Sequence, residues 1–286
     1  MTGLSLVEAW LSNLRHVLSD DSLVATEVRV GVFYTAARLG SGQVGVAFTP
    51  RNLTDTVCCP RSAAAAPPAG QMAGQDAWTL AQFALSDVPL RRAVGVAVLN
   101  ALSTLATELH GTPGGKLLLG MDALEAAGVR AEDRVALVGA FIPFIKTLKG
   151  HVDQLWIIDK HRDALNKDEL SFWRPTEQVF ETLSKASVVI ITGSALVEGG
   201  IDSLLEAANQ ARMVVLAGPT APPWHPPFFE RGIHVLGGIR VLDAAKMLQV
   251  VSEGGSGHFF ETAAEKICMI RDASETPPSK NNHHLR

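Results

Sequence analysis

The side chains best suited to chemistry fall where short apolar runs end. Gly139, Phe141 and Pro143 follow VALVG (135–139), and Asp159 closes LWIID (155–159). Thr192, Gly193 and Ser194 leave VVIIT (188–192), while Gly218, Pro219 and Thr220 leave MVVLAG (213–218). An acid about twenty residues beyond a strand-exit glycine commonly accepts bonds from ribose hydroxyls, so Asp159 is a candidate ligand contact; capping its own turn is the alternative. GAFIP (139–143) lacks the second and third glycines of a dinucleotide fingerprint, which leaves S-adenosylmethionine a better nucleoside candidate than NAD. TGSALVEGG (192–200) offers hydroxyls and amides to an anion. Asp202 just beyond it also suits the positive end of its own helix.

Two further groups could transfer protons or hold a metal. His225 sits in the loop GPTAPPWHPP (218–227), which its prolines stiffen, and histidine titrates near neutrality. Glu253 precedes Gly254 and Gly255, which could simply end a helix. No C-x-x-C, H-E-x-x-H or G-x-S-x-G spacing occurs. Neighbouring Cys58 and Cys59 would point to opposite faces of a strand, so a tight zinc site is not expected. A looser site drawn from His225, His234, Glu253 or Cys58 stays open.

These residues need a scaffold. Five apolar runs, the four above and IHVLG (233–237), alternate with helical patterns at Pro175–Lys185, Ile201–Ala211 and Val241–Val251. Continuous apolar strands separated by helices predict an α/β fold, a Rossmann-like doubly wound parallel sheet with ligands at the strands' carboxyl ends. The preceding part reads as a smaller α+β unit. It has an amphipathic helix over Leu4–Leu18, a strand over Val24–Leu39 and a hairpin partner over Gln43–Thr49. A loop over 62–75 and helices over Trp78–Ala84 and Leu90–Leu109 follow. The expected domains are 1–116 and 117–272, with a disordered tail over 273–286 in which His283 and His284 are solvated.

Composition narrows the function. The 286 residues are 47% hydrophobic and 19% charged, with net charge −4, which excludes a disordered chain and disfavours nucleic-acid binding. The apolar run Ala93–Leu102 is too short to span a bilayer, so no membrane partner is expected, and the first residues lack signal-peptide features. Three cysteines (Cys58, Cys59 and Cys268) make a poor disulfide framework and suggest a reducing cytoplasm. A homodimer is the default assembly.

The motifs VGVFYTAARLGSGQVGVAFTPR (30–51), VGVAVLNAL (94–102), RVALVGAFIPF (134–144), VVIITGSALVEGGID (188–202), VVLAGPTAPPWHP (214–226) and LGGIRVLD (236–243) resemble, in order and spacing, an uncharacterised bacterial and archaeal family labelled putative heavy-metal chelation domain. The resemblance implies an enolase N-terminal-like domain before the Rossmann-like one, with a cleft between them. Thr35, Thr49 and Asn100 would reach it from the first unit. Thr192–Ser194, Gly218–Thr220 and Glu253–Gly255 would reach it from the second. The family pattern has asparagine and threonine or serine where this chain has Glu198 and Gly200, which adds a charge and removes a hydroxyl. Three functions stay open. The chain could bind or process a small metal-chelating metabolite or a divalent metal, with His225 or Glu253 as base or ligand. It could be an S-adenosylmethionine-dependent transferase, or a non-catalytic ligand sensor or metallochaperone.

Overall fold

The computed structural model describes residues 3–19, 22–51 and 65–272. Cys58, Cys59, residues 62–64 of the expected loop, and the tail with His283 and His284 lie outside them.

The first unit begins with α1 (Leu6–Leu18), whose Ser5 and Glu8 form a capping box. Strands β1 (Val24–Val30), β2 (Tyr34–Leu39), β3 (Val44–Phe48) and β4 (Gln75–Asp76) make an antiparallel sheet in the order β3-β2-β1-β4. The single strand expected over Val24–Leu39 is in fact two. The chain turns at Gly31, where a Cβ would sit 2.1 Å from the Val251 carbonyl oxygen and 2.9 Å from that of Tyr34. Only glycine fits so close an approach. Helices α2 (Ala77–Ala81) and α3 (Pro89–His110) complete the unit. Helix α3 is longer than its apolar run suggested and has the length and composition of a membrane-crossing helix. Its apolar side chains, Val94, Val96, Val98, Leu99 and Leu102 among them, are buried in the core.

The second unit is an eight-stranded sheet. In chain order its strands are β5 (Gly115–Leu119), β6 (Arg134–Val138), β7 (Gln154–Ile158), β8 (Trp173–Arg174), β9 (Val188–Thr192), β10 (Met213–Ala217), β11 (Val235–Val241) and β12 (Ala264–Arg271). The spatial order is β5-β12-β11-β10-β9-β6-β7-β8, parallel from β11 to β8, with β12 antiparallel to both its neighbours. Helices α4 (Ala123–Ala126), α5 (Ile142–Leu148), α6 (Val179–Lys185), α7 (Ala195–Glu198), α8 (Ile201–Ala207), α9 (Pro226–Glu230) and α10 (Ala244–Ser252) connect the strands.

Alternation along the strands assigns the layers. Val135, Leu137, Val188, Ile190, Val215 and Ala217 pack on one face, with Phe144, Ile145 and Leu148 of α5. Ala136, Val189, Ile191, Val214 and Leu216 face the other way, into a core continuous with α1 and α3 of the first unit. The antiparallel sheet is also covered from the second unit. Ala36, Val44 and Val46 pack against Met247, Leu248, Val250 and Val251 of α10. The first unit's sheet thus lies between its own α3 and a helix of the other unit, and the two share their cores.

Candidate functional site

An open parallel sheet binds ligands beyond its strands' carboxyl ends, above all where the strand order reverses. Here the chain goes from β6 outward to β7 and β8, then returns to β9 on β6's other side, so the reversal lies between β6 and β9. Gly139, Phe141, Asp159, Thr192 and Ser194 are half-buried there, and Pro143 is exposed. The Phe141 ring stacks on Phe144 at 5.1 Å. The structure therefore brings the exits of β6, β7 and β9 together as the sequence implied.

The exit glycines do not form an anion cradle. The amides of Gly139, Gly193 and Gly218 each donate to a neighbouring strand's carbonyl, at Ile158 (2.8 Å), Ala217 (2.7 Å) and Gly237 (2.8 Å). They extend the ladder by one residue. Gly139 and Gly218 do so at φ 107° and 110°, which strongly favours glycine. The amides of Gly254 and Gly255 are likewise spent, on Val251 and Val250. What remains open is side-chain chemistry. Thr192 Oγ1 accepts from the Ser194 amide at 3.3 Å, which leaves its own proton free to donate. Asp159 caps its surroundings, accepting from Ala140 N and His161 N, both at 2.8 Å.

The exit of β10 is closed. Strand β3 is a sheet edge whose outward backbone groups need partners. Thr220 Oγ1 accepts from Phe48 N at 2.9 Å, and Asn100 Nδ2 donates to Val46 O (2.7 Å) and Thr220 O (3.0 Å). Thr35 and Thr49 bond each other through their hydroxyls at 2.9 Å, Thr35 fully buried. Thr35, Thr49, Asn100 and Thr220 therefore hold a sealed seam rather than line an open cleft. Asn100 Oδ1 finds no partner among the described residues and sits beside a cavity of about 10 Å³ lined by Thr104, Pro219, Ala221 and Ile239.

His225 must be corrected as a base for this mouth. It lies against Gly115, its Nε2 within 2.6 Å of the Pro113 carbonyl and its ring 4.7 Å from Phe229. Gly115 pairs with Arg271, whose amide bonds His234 O just before β11 begins. That is the amino end of the parallel strands, opposite the mouth. The loop after β10 crosses the sheet, and Trp224 pins it to α1 through Asn13 at 2.7 Å. His225 is 1% exposed, so no ligand reaches it. Glu253 is exposed and accepts from Gln249 one helical turn back at 2.8 Å.

Sequence reasoning did not foresee several of the contacts around the mouth. Arg92 of α3 donates to the carbonyls of Val197, Glu198 (3.2 Å) and Ser86 (2.9 Å), and so fixes α7 below Ser194. Lys160 pairs with Glu198 across the mouth at 3.2 Å. Asp202 accepts from the Leu6 amide at 2.9 Å and so anchors α1 to the second unit. Tyr34 opens β2 with its hydroxyl beside Gly257, and Arg51 follows β3 with its guanidinium over the Phe33 ring. Their signal was an arginine and an aromatic residue at one hairpin end, which strand patterning alone does not rank.

A metal suits the described residues poorly. Among them, no three His, Cys, Asp or Glu side chains gather where they could hold an ion. Cys268 is buried, its Sγ bonded to Met121 O at 3.3 Å. Burial, with Asp122 and Glu125 nearby, pushes the thiol up to about 12, far from the thiolate a soft metal needs.

The fold and the mouth define a two-unit α/β protein with fused cores and an order reversal between β6 and β9 of its larger sheet. Residues 122–270 match the family described as "Putative heavy-metal chelation" (DUF364), and residues 15–103 match a second family of that description (DUF4213); the chain belongs to the first. A DUF364 protein of unknown function from Desulfitobacterium hafniense superposes with a TM-score of 0.75 at 19% identity, covering 93% of this chain and 98% of that one. One from Pyrococcus horikoshii gives 0.71 at 20%, covering 94% and 100%. These likenesses support the fold. An uncharacterized protein of Methanocaldococcus jannaschii is 26% identical over 185 residues, 63% of this chain and 66% of the relative.

Proposed function

We propose that the mouth binds a small metal-chelating metabolite, and that any heavy metal arrives as that metabolite's cargo. The observation that carries this reading is the contrast between the strand exits. Those of β6, β7 and β9 leave Thr192, Ser194 and Phe141 partly exposed, while that of β10 is sealed by the first unit. The family description supplies the chelation. With no three-donor cluster among the described residues, the metal's ligands belong to the small molecule. Thr192 and Ser194 donate to it, Phe141 covers an apolar part, and Arg92 keeps α7 in place.

Native mass spectrometry of the protein as purified, with elemental analysis, tests this. A co-purifying organic species, carrying metal or not, is expected in the wild type and is lost in Thr192→Val/Ser194→Ala. A metal bound without any organic species, or an organic ligand retained by the double variant, would overturn the reading.

A further inference from the structure

Contacts between the strand exits close the mouth into a ring. A Cβ on Gly139 would stand 3.1 Å from that of Thr192, so the backbone leaving β6 abuts the side chain leaving β9. The next amide, Ala140 N, donates to Asp159 Oδ2 at 2.8 Å and ties the exit of β6 to that of β7. Lys160 follows Asp159, and its Nζ donates to Glu198 Oε2 at 3.2 Å. Glu198 N donates to Ser194 O at 2.8 Å, one turn of α7 back towards Thr192. Because β6 lies between β7 and β9 in the sheet, the Lys160–Glu198 pair spans the exit of β6.

The charged groups on this ring differ in their freedom. Asp159 is spent. His161 N donates to its Oδ1 at 2.8 Å, Ala140 N holds the other oxygen, and Trp173 Nε1 donates to its carbonyl at 3.0 Å. The backbone of Glu198 is pinned as well, by its own helix and by Arg92 at 3.2 Å. The side chains of the pair are not: those of Lys160 and Glu198 are 64% and 37% exposed. An ion pair so open to water is weak and yields readily to a competing charge. With Glu198 swung aside, the ring presents the Thr192 and Ser194 hydroxyls and the Lys160 ammonium, each able to donate. Donors around one displaceable acid are the complement of an anion. We propose that Lys160 binds an oxyanion of the mouth's ligand, a carboxylate or phosphate group that displaces the Glu198 carboxylate, an inference that rests on the chelator-binding reading and makes the chelator anionic.

Circular-dichroism melts at fixed ionic strength test it, with citrate or inorganic phosphate exchanged for sodium chloride. Tm is expected to rise and saturate with at least one of the two anions, and the better one names the ligand's group. Lys160→Met, a change at an exposed side chain, should weaken the apparent affinity at least about tenfold, the scale of one charge-assisted contact. Glu198→Gln should tighten it about two- to fivefold by removing the competing carboxylate. Exclusion of these salts from the protein surface raises Tm equally in all three proteins and does not saturate. No saturable rise at tens of millimolar, a response that Lys160→Met leaves unchanged, or binding that Glu198→Gln fails to tighten would each overturn the proposal. A failure here beside a co-purifying organic species in the mass spectrum removes the Lys160 contact and leaves the mouth. A Lys160-dependent response without any such species leaves the anion site and removes the chelator.

Discussion

The perturbation that probes the seam most sharply is Asn100→Leu. The replacement keeps nearly the same volume but removes the Nδ2 group that serves Val46 O at 2.7 Å and Thr220 O at 3.0 Å. Each orphaned buried carbonyl costs about 1–3 kcal/mol. Part of that is returned, because the substitution also removes Oδ1, a buried acceptor with no partner, worth about 1 kcal/mol by the same reasoning. The net loss is about 1–5 kcal/mol, a large share of a typical folding free energy. At about 2–4 °C per kcal/mol for a chain of this size, Tm falls by about 2–20 °C. Calorimetric and circular-dichroism melts measure it. A drop below about 2 °C would refute the reasoning, since water in the adjoining cavity would then be satisfying the carbonyls. Two separate transitions in the variant would refute the idea that the units share one cooperative core.

Three other outcomes are expected. Gly139→Ala forces a side chain into φ 107°, with its Cβ 3.1 Å from that of Thr192; urea melts should show a loss of about 1–3 kcal/mol. Cys268 should resist alkylation in the native state and react in denaturant, as peptide mass mapping would show, because its thiol is pushed up to about 12. His234 is held below the ordinary histidine range by burial and then by the Arg271 charge. The unfolded chain therefore takes up a proton first as pH falls below about 6.5, and stability is lost through that window and below it; His234→Gln should flatten the trend between pH 7.5 and 5.5 in urea melts.

The parallel strands were legible because each is a continuous apolar run ending in glycine, aspartate or threonine, and that pattern places the mouth as well. Strand β12 was not. AEKICMIR mixes charged and apolar residues because it pairs antiparallel between β11 and β5, with Cys268 and Met269 buried and Lys266 exposed. The break at Gly31 was hidden because the need for glycine there arises from the carbonyl of Val251, far away in sequence. His225 misled for a similar reason. Its side-chain chemistry suggests a base, but the proline-rich loop carries it from one end of the strands to the other, and a path across a sheet leaves no local periodicity. Asn100 and Thr220 were placed at the junction, yet their work of satisfying the edge of β3 depends on knowing which strand is the edge.

The fused cores constrain how the mouth can work. The first unit's sheet needs Thr220 to accept from its edge strand and α10 to cover its outer face. The second unit in turn has Arg92 holding α7 and Trp10 packed edge-on to Phe228 at 5.2 Å. Hinged closure would break these bonds and expose the apolar contacts of both cores, at a cost far above what a small ligand recovers. The width of the mouth is therefore set before binding, and the donors on its rim are already positioned. A preformed rim loses little entropy on binding, so the proposed ligand would meet the Thr192 and Ser194 hydroxyls already in place.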